Sequence, residues 1–213
     1  MKKRRLIAIA VVLILAGSSY ALGWSTLFTV SAVEIQGTSL QLPNFVNIGE
    51  KLARIEPRVV AEKYEGIDFV ESAKVSRDWR TGKVRIQITS RIPVAVFNGQ
   101  IIDKSGKAIT TQPSAPKPLP TIQAATTKEA AAGAKFISKL PEELKVVLLT
   151  VKVNPSGSYE LEINYGQRLI QIRWGTPTEN TLKVAVYKAL LERAENSKVV
   201  RIDLSAPHAP IVE

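Results

Sequence analysis

Apolar and polar positions along this chain change rhythm several times, and each change predicts an element. From Leu6 the sequence runs LIAIAVVLILAGSSYALGW without a charge, about 19 residues or roughly 28 Å as a helix. Lys2, Lys3, Arg4 and Arg5 precede it, and Tyr20 and Trp24 stand toward its far end. Such a run is either a cleaved signal peptide, with Ser19-Tyr20-Ala21 at the cut, or a retained anchor. Basic residues at one end and amphipathic aromatics at the other favour retention. The expectation is a cytoplasmic tail over 1–5, a transmembrane helix over 6–24, and the bulk of the chain outside the cytoplasm. Lys2, Lys3, Arg4, Arg5, Tyr20 and Trp24 would be the membrane-interface residues.

Beyond Trp24 the period shortens to two. In FTVSAVEIQG, Val33 and Ile35 alternate with Ala32 and Glu34 up to Gly37, which predicts a strand. IEPRVVAEKYEG has Pro57 at the start and Gly66 past the end of a helical stretch. FVESAKVSRDW and KVRIQITS then alternate around Arg80-Thr81-Gly82 as a hairpin, with Val84, Ile86 and Ile88 inward. Residues 28–91 therefore read as a three-stranded sheet backed by a helix.

From Pro93 the pattern is richer in strands. Asn98-Gly99 between apolar runs is a two-residue hairpin turn, and QPSAPKPLP is too proline-rich for a strand interior. Thr126 and Glu129 have the spacing of a capping box before a helix starting near Thr127. KVVLLTVKVN and SYELEINYGQRLIQIRWG predict three strands. TENTLKVAVYKALLERA predicts a helix with Leu182, Val186, Ala189 and Leu190 on one face. KVVRIDLS is the last strand, and 207–213 reads as a flexible tail. The fold class expected is α+β: a single N-terminal transmembrane helix, a small sheet-and-helix module, and a strand-rich β domain with helices over 92–206.

Composition narrows the chemistry. The 213 residues contain no cysteine, which removes disulfides, thiolate nucleophiles and lipid attachment at Leu15-Ala16-Gly17, where Ser18 follows. Four of the 29 basic residues precede the apolar run, so the +10 net charge leaves about +6 on the body without a dense cluster. No helix-turn-helix, zinc knuckle or aromatic-basic strand pair accompanies it, so nucleic acid is not an expected partner. His208, the one histidine, lies between Pro207 and Pro210 and cannot be held as a catalytic base in a mobile tail. Carboxylates are scattered, single glycines form no phosphate-binding loop, and no cofactor or metal is expected. The pattern therefore argues against an enzyme.

The order of FTVSAVEIQG, VESAKVSRDW, VRIQITSRIPVAVF, IIDKSGKAI and VVRIDLSAP resembles the FtsQ/DivIB family of bacterial cell-division proteins. The resemblance implies a POTRA domain over 28–91 and a β domain after it. It also implies a non-enzymatic, single-pass scaffold at the septum, joining FtsB/DivIC-like and FtsL-like coiled-coil partners. Two departures stand out: Arg80 follows Trp79 where the family commonly has proline, and Pro43 interrupts the place of the first POTRA helix. Alternatives are a secreted or anchored envelope-binding protein and an envelope-assembly factor using a POTRA-like module.

The last predicted strand offers the sharpest site. Val200, Ile202 and Leu204 form one apolar face, with Val199, Arg201 and Asp203 on a mixed face and Ser205 closing it. Such a strand can lie at a sheet edge with open backbone groups and accept an extended partner segment. Tyr187, Lys188 and Leu191 on the preceding helix would add a wall. The same residues also read as an ordinary edge strand that closes the domain.

Overall fold

The computed structural model describes residues 2–23, 28–110, 118–166 and 168–213. Its first helix, α1 (Lys2–Gly23), carries the apolar run. Among the described residues no helix is long and apolar enough to cross a membrane, which overturns the transmembrane helix expected over 6–24. The physical reason lies in composition: four cations occupy the first turn and more, and Gly17, Ser18, Ser19 and Tyr20 dilute the outer half. Lys3, Arg4, Arg5 and Tyr20 lie exposed along α1. Lys2 belongs to the same helix, and Trp24 lies outside the described residues.

The chain divides into two compact units, Met1–Arg91 and Ile92–Glu213. The first contains β1 (Ala32–Gln36), α2 (Pro57–Glu65), β2 (Val70–Asp78) and β3 (Lys83–Ser90). Pro57 occupies the first turn of α2, where its missing N–H costs nothing. The sheet runs β1-β3-β2, with β3 parallel to β1 and antiparallel to β2. Val84, Ile86 and Ile88 of its central strand are buried, as are Val60, Ala61 and Tyr64 of α2. Residues 39–49 contain no helix, only a 3-10 turn at Leu52–Arg54 beyond them. Arg77 ties that turn to β2, donating to the carbonyls of Leu52 at 3.0 Å and Ile55 at 2.7 Å.

The second unit is built on one sheet. Its elements are β4 (Pro93–Phe97), β5 (Gln100–Asp103), β6 (Thr121–Gln123), α3 (Thr127–Lys139), α4 (Glu142–Val147), β7 (Leu148–Val153), β8 (Tyr159–Tyr165), β9 (Arg168–Gly175), α5 (Asn180–Glu192), β10 (Arg201–Asp203) and β11 (Ile211–Val212). The order is β11-β10-β9-β8-β7-β6-β4-β5. Asn98 and Gly99 turn β4 into β5 with φ of 49° and 77°, the two positive angles a tight primed turn requires. Thr126 and Glu129 form a reciprocal capping box at the start of α3. The first part of KVVLLTVKVN departs from the expected strand. Glu142, Glu143 and Leu144 continue into Val147 as α4, because Pro141 starts a helix there. Most of the proline-rich stretch QPSAPKPLP lies outside the described residues.

Strand alternation creates two contrasting faces. Val151, Val153, Leu161, Ile163, Ile170, Ile172 and Trp174 point into a core shared with Phe136, Ile137, Leu144, Tyr187 and Leu190 of the helices. Phe136 stacks on Tyr159 and meets Trp174 edge-on. The opposite face carries polar residues in cross-strand register, including Lys152, Glu160, Arg173 and Asp203 in one row.

Candidate partner-docking edge

One end of the large sheet is made by the last third of the chain, and its geometry starts at the β9–α5 connection. Gly175 leaves β9 with φ of 72°, and a Cβ there would lie 2.9 Å from the Cα and Cβ of Ser205. This close approach brings the end of β10 against the end of β9. Glu179, left-handed at φ 51°, starts α5. The Trp174 indole N–H donates to Asn180 Oδ1 at 2.8 Å, which fixes the first residue of the helix.

Lys183 is the central residue of this corner. It is 1% exposed, and its ammonium donates to the carbonyls of Trp174 at 2.7 Å and Thr176 at 2.8 Å. Burial pushes its pKa below the ordinary 10.5, against the pull of the Glu179 and Asp203 carboxylates. The buried stripe of α5 is Lys183, Tyr187 and Leu190, one step away from the apolar face read from the sequence. Ala189 of that face is exposed and Leu182 only half-buried. Sequence reading missed Lys183 because a lysine counts as polar. The signal was its i, i+4, i+7 spacing with Tyr187 and Leu190.

The chain leaves α5 through Asn196, buried, whose amide donates to the Leu190 carbonyl at 2.8 Å. The Arg168 guanidinium donates to the Ser197 carbonyl. Then β10 begins. It spans Arg201–Asp203 rather than the predicted Lys198–Ser205. The strand stops because Asp203 Oδ1 accepts from the Ser205 amide at 2.8 Å and its hydroxyl at 2.6 Å, bending the chain away. Burial opposes charge on Asp203, but these two donors and the nearby Arg173 outweigh it and hold the carboxyl below its ordinary range.

The predicted site residues separate into three groups. Ile202 and Leu204 are fully buried and Val199 nearly so, all on the core side. Arg201, Asp203 and the 58%-exposed Val200 are accessible in part or whole, as is Ser205. Of the wall residues, Lys188 is exposed and lies 3.7 Å from Glu143, and Leu191 is half-buried against the core. Tyr187 is buried, and burial, with Tyr165 nearby, raises its hydroxyl to about 12. It supports the corner from inside and presents nothing outward.

Residues 207–213, read as a flexible tail, also differ from expectation. Pro207 is buried, and β11 pairs antiparallel with β10, Val212 opposite Ile202 and Ile211 opposite Asp203. The amides of Val200 and Arg201 donate to the Glu213 carbonyl at 2.9 and 3.0 Å, and the Glu213 amide returns a bond to Arg201. The edge of the sheet is therefore β11, with β10 one position inside. Arg201 also reaches the Glu213 carboxylate at 3.4 Å. Beside it, a shallow trough of about 550 Å³ crosses the polar face between Gln123 and Glu213, lined by Glu162, Gln171, Arg173 and Arg201. Among the described residues no group of three His, Cys, Asp or Glu side chains is placed to hold a metal. His208 lies 3.3 Å from the exposed Glu179 carboxylate.

A small three-stranded module followed by a mixed sheet that ends in short, partly exposed strands defines a class of protein that presents strand edges and a polar face. Residues 93–205 match the family model described as cell division protein FtsQ/DivIB, C-terminal, so this chain belongs to the FtsQ/DivIB family of cell-division proteins. Curated relatives agree along nearly the whole length. The cell division protein FtsQ of Streptomyces venezuelae is 28% identical over 96% of this chain and 82% of its own. Those of Streptomyces bingchenggensis and Streptomyces coelicolor are 25% and 22% identical, each over 96% of this chain and 83% and 85% of their own.

Proposed function

We propose that this protein is a non-enzymatic scaffold of the septal division machinery. It links FtsB/DivIC-like and FtsL-like coiled-coil partners through the edge of the second unit where β10 and β11 end the sheet. The observation that carries the reading is the character of that edge. Its strands are two and three residues long, and Ile211 and Val212 are 59% and 36% exposed. Short strands with accessible apolar side chains and open main-chain groups suit the addition of a partner's extended segment. Arg201 and Asp203 give the edge a charge pattern, and Lys188 stands on the neighbouring helix.

Strand alternation decides which substitution tests this. The Leu204 amide donates inward to the Arg173 carbonyl at 2.8 Å, whereas the Arg201 amide points outward. By the same alternation the Ile202 amide faces β9, so proline there would break the inner ladder. Proline at 201 spares that ladder and removes the outward donor, which bonds Glu213 until a partner segment takes its place, together with the Arg201 charge. Arg201→Pro should weaken capture of the outer segment of an FtsB/DivIC-like partner by about fivefold or more, the loss of roughly one main-chain bond and one exposed charge. Unchanged protection of the β8 amides would show that the sheet is intact. Full binding by a folded Arg201→Pro variant would move the contact elsewhere on the protein.

A further inference from the structure

We propose that residues 211–213 are a strap: a strand of this chain's own that fills the outward edge of β10 and must leave before another extended segment pairs there. The inference rests on the docking reading above and adds its regulation. Three features of the tail carry it. Its strand, Ile211–Val212, is two residues long, and its side chains remain 59% and 36% exposed, so only part of its apolar surface holds it down. Its hold is mainly main-chain, through Val200, Arg201 and Glu213, with one exposed ion pair between Arg201 and Glu213.

The strand beneath is secured differently. Ile202 and Leu204 are fully buried, and the ladder to β9 is closed by the Gln171 amide on the Val200 carbonyl and the Leu204 amide on Arg173. Release of the strap therefore leaves β10 in place with its outward donors free. The return path is short. Pro207 is buried, the Ala209 amide closes a turn onto Ala206, and His208 faces Glu179. A tail tethered this close has an effective concentration in the millimolar range, so weak contacts suffice for it to compete. The arrangement sets a threshold: a partner has to outcompete an occupant that is always present.

Two variants test the strap, Glu213→Pro in the full chain and a chain ending at Ala206. In Glu213→Pro, amide exchange at Val200 and Arg201 should accelerate while Leu204 and Gln171 keep their protection. Loss of protection at Leu204 as well would make the tail part of the fold and overturn the proposal. A labelled peptide of residues 206–213 should bind the shortened chain, restoring protection at Val200 and Arg201, and should not bind the full chain. No uptake by the shortened chain overturns the proposal. The outer segment of an FtsB/DivIC-like protein should displace that peptide. It should bind the strap-free forms about tenfold more tightly, as expected where the edge is otherwise open one-tenth of the time. Equal binding to full and strap-free chains overturns the exchange. Peptide uptake with no partner binding to any form supports the strap and removes the docking reading instead.

Discussion

Replacing Lys183 with methionine isolates the interaction that ties the β9–α5 corner to the body of the second unit. Methionine has nearly the length and volume of the lysine stem, so packing changes little, but the carbonyls of Trp174 and Thr176 lose their donor. A buried carbonyl left unpaired costs about 1–3 kcal/mol. Thr176 lies at the margin of the site, where water can reach its carbonyl, and it falls at the low end. Relief from burying a cation offsets part of the loss. The net expectation is about 2–3 kcal/mol of destabilisation, or roughly 6–12 °C in the melting temperature of a unit this size. Calorimetry of the full chain, with amide exchange along β9 to assign the transition, measures it. The pH dependence adds a second readout. Burial lowers the folded pKa of Lys183 below 10.5, so between those values the unfolded chain binds more protons and stability rises with pH. The deficit of Lys183→Met should therefore widen as pH climbs toward 10.5 and level off above it. A melting temperature unchanged or raised in the variant would refute the reasoning, because the two carbonyls would then need no partner.

Two further substitutions probe the same unit. Gly175→Ala places a Cβ 2.9 Å from the Ser205 backbone at φ of 72°, and should cost about 1–3 kcal/mol in urea unfolding while loosening amide protection at Leu204 first. Thr126→Ala removes the acceptor of the Glu129 amide at 3.2 Å and should cost about 1 kcal/mol, with faster exchange confined to the first turn of α3.

Much of the fold was legible because local chemistry and tertiary packing agree. Pro57 and Gly66 bracket α2, Asn98-Gly99 turns β4 into β5, and Thr126 with Glu129 opens α3; in each the residue types dictate the backbone. The inward residues of β3 followed from alternation alone. What failed were positions where a polar atom is buried with a private partner, or where a paired segment is too short to show a strand period. Lys183 belongs to the first kind, since no periodicity reports that two carbonyls wait for its ammonium. The tail belongs to the second. Two prolines and a histidine give no strand signal, and β11 exists only because β10 offers it open donors. The apolar run at the start is a third case: its length, the basic residues before it and the aromatics at its far end suggested a membrane span, and among the described residues no helix is long and apolar enough for one.

The two ends of β10 are held differently, and this difference suits the docking proposed for its edge. At the Ser205 end the backbone lies against Gly175, Asp203 folds back onto Ser205, and Lys183 binds the β9–α5 connection from beneath. At the Val199 end the strand is held by the Gln171 amide on the Val200 carbonyl, one turn bond to Asn196 and the Arg168–Ser197 contact, with no close backbone approach among the described residues like that at Gly175, and the Val200 side chain is 58% exposed. A rigid end sets register, because an incoming strand must align to donors that do not move. A looser end lets Val200 and Arg201 adjust as the strap departs and another segment arrives. Stiffening the loose end should thus slow exchange of the strap without changing which residues pair, whereas weakening the Lys183 corner should blur the pairing itself.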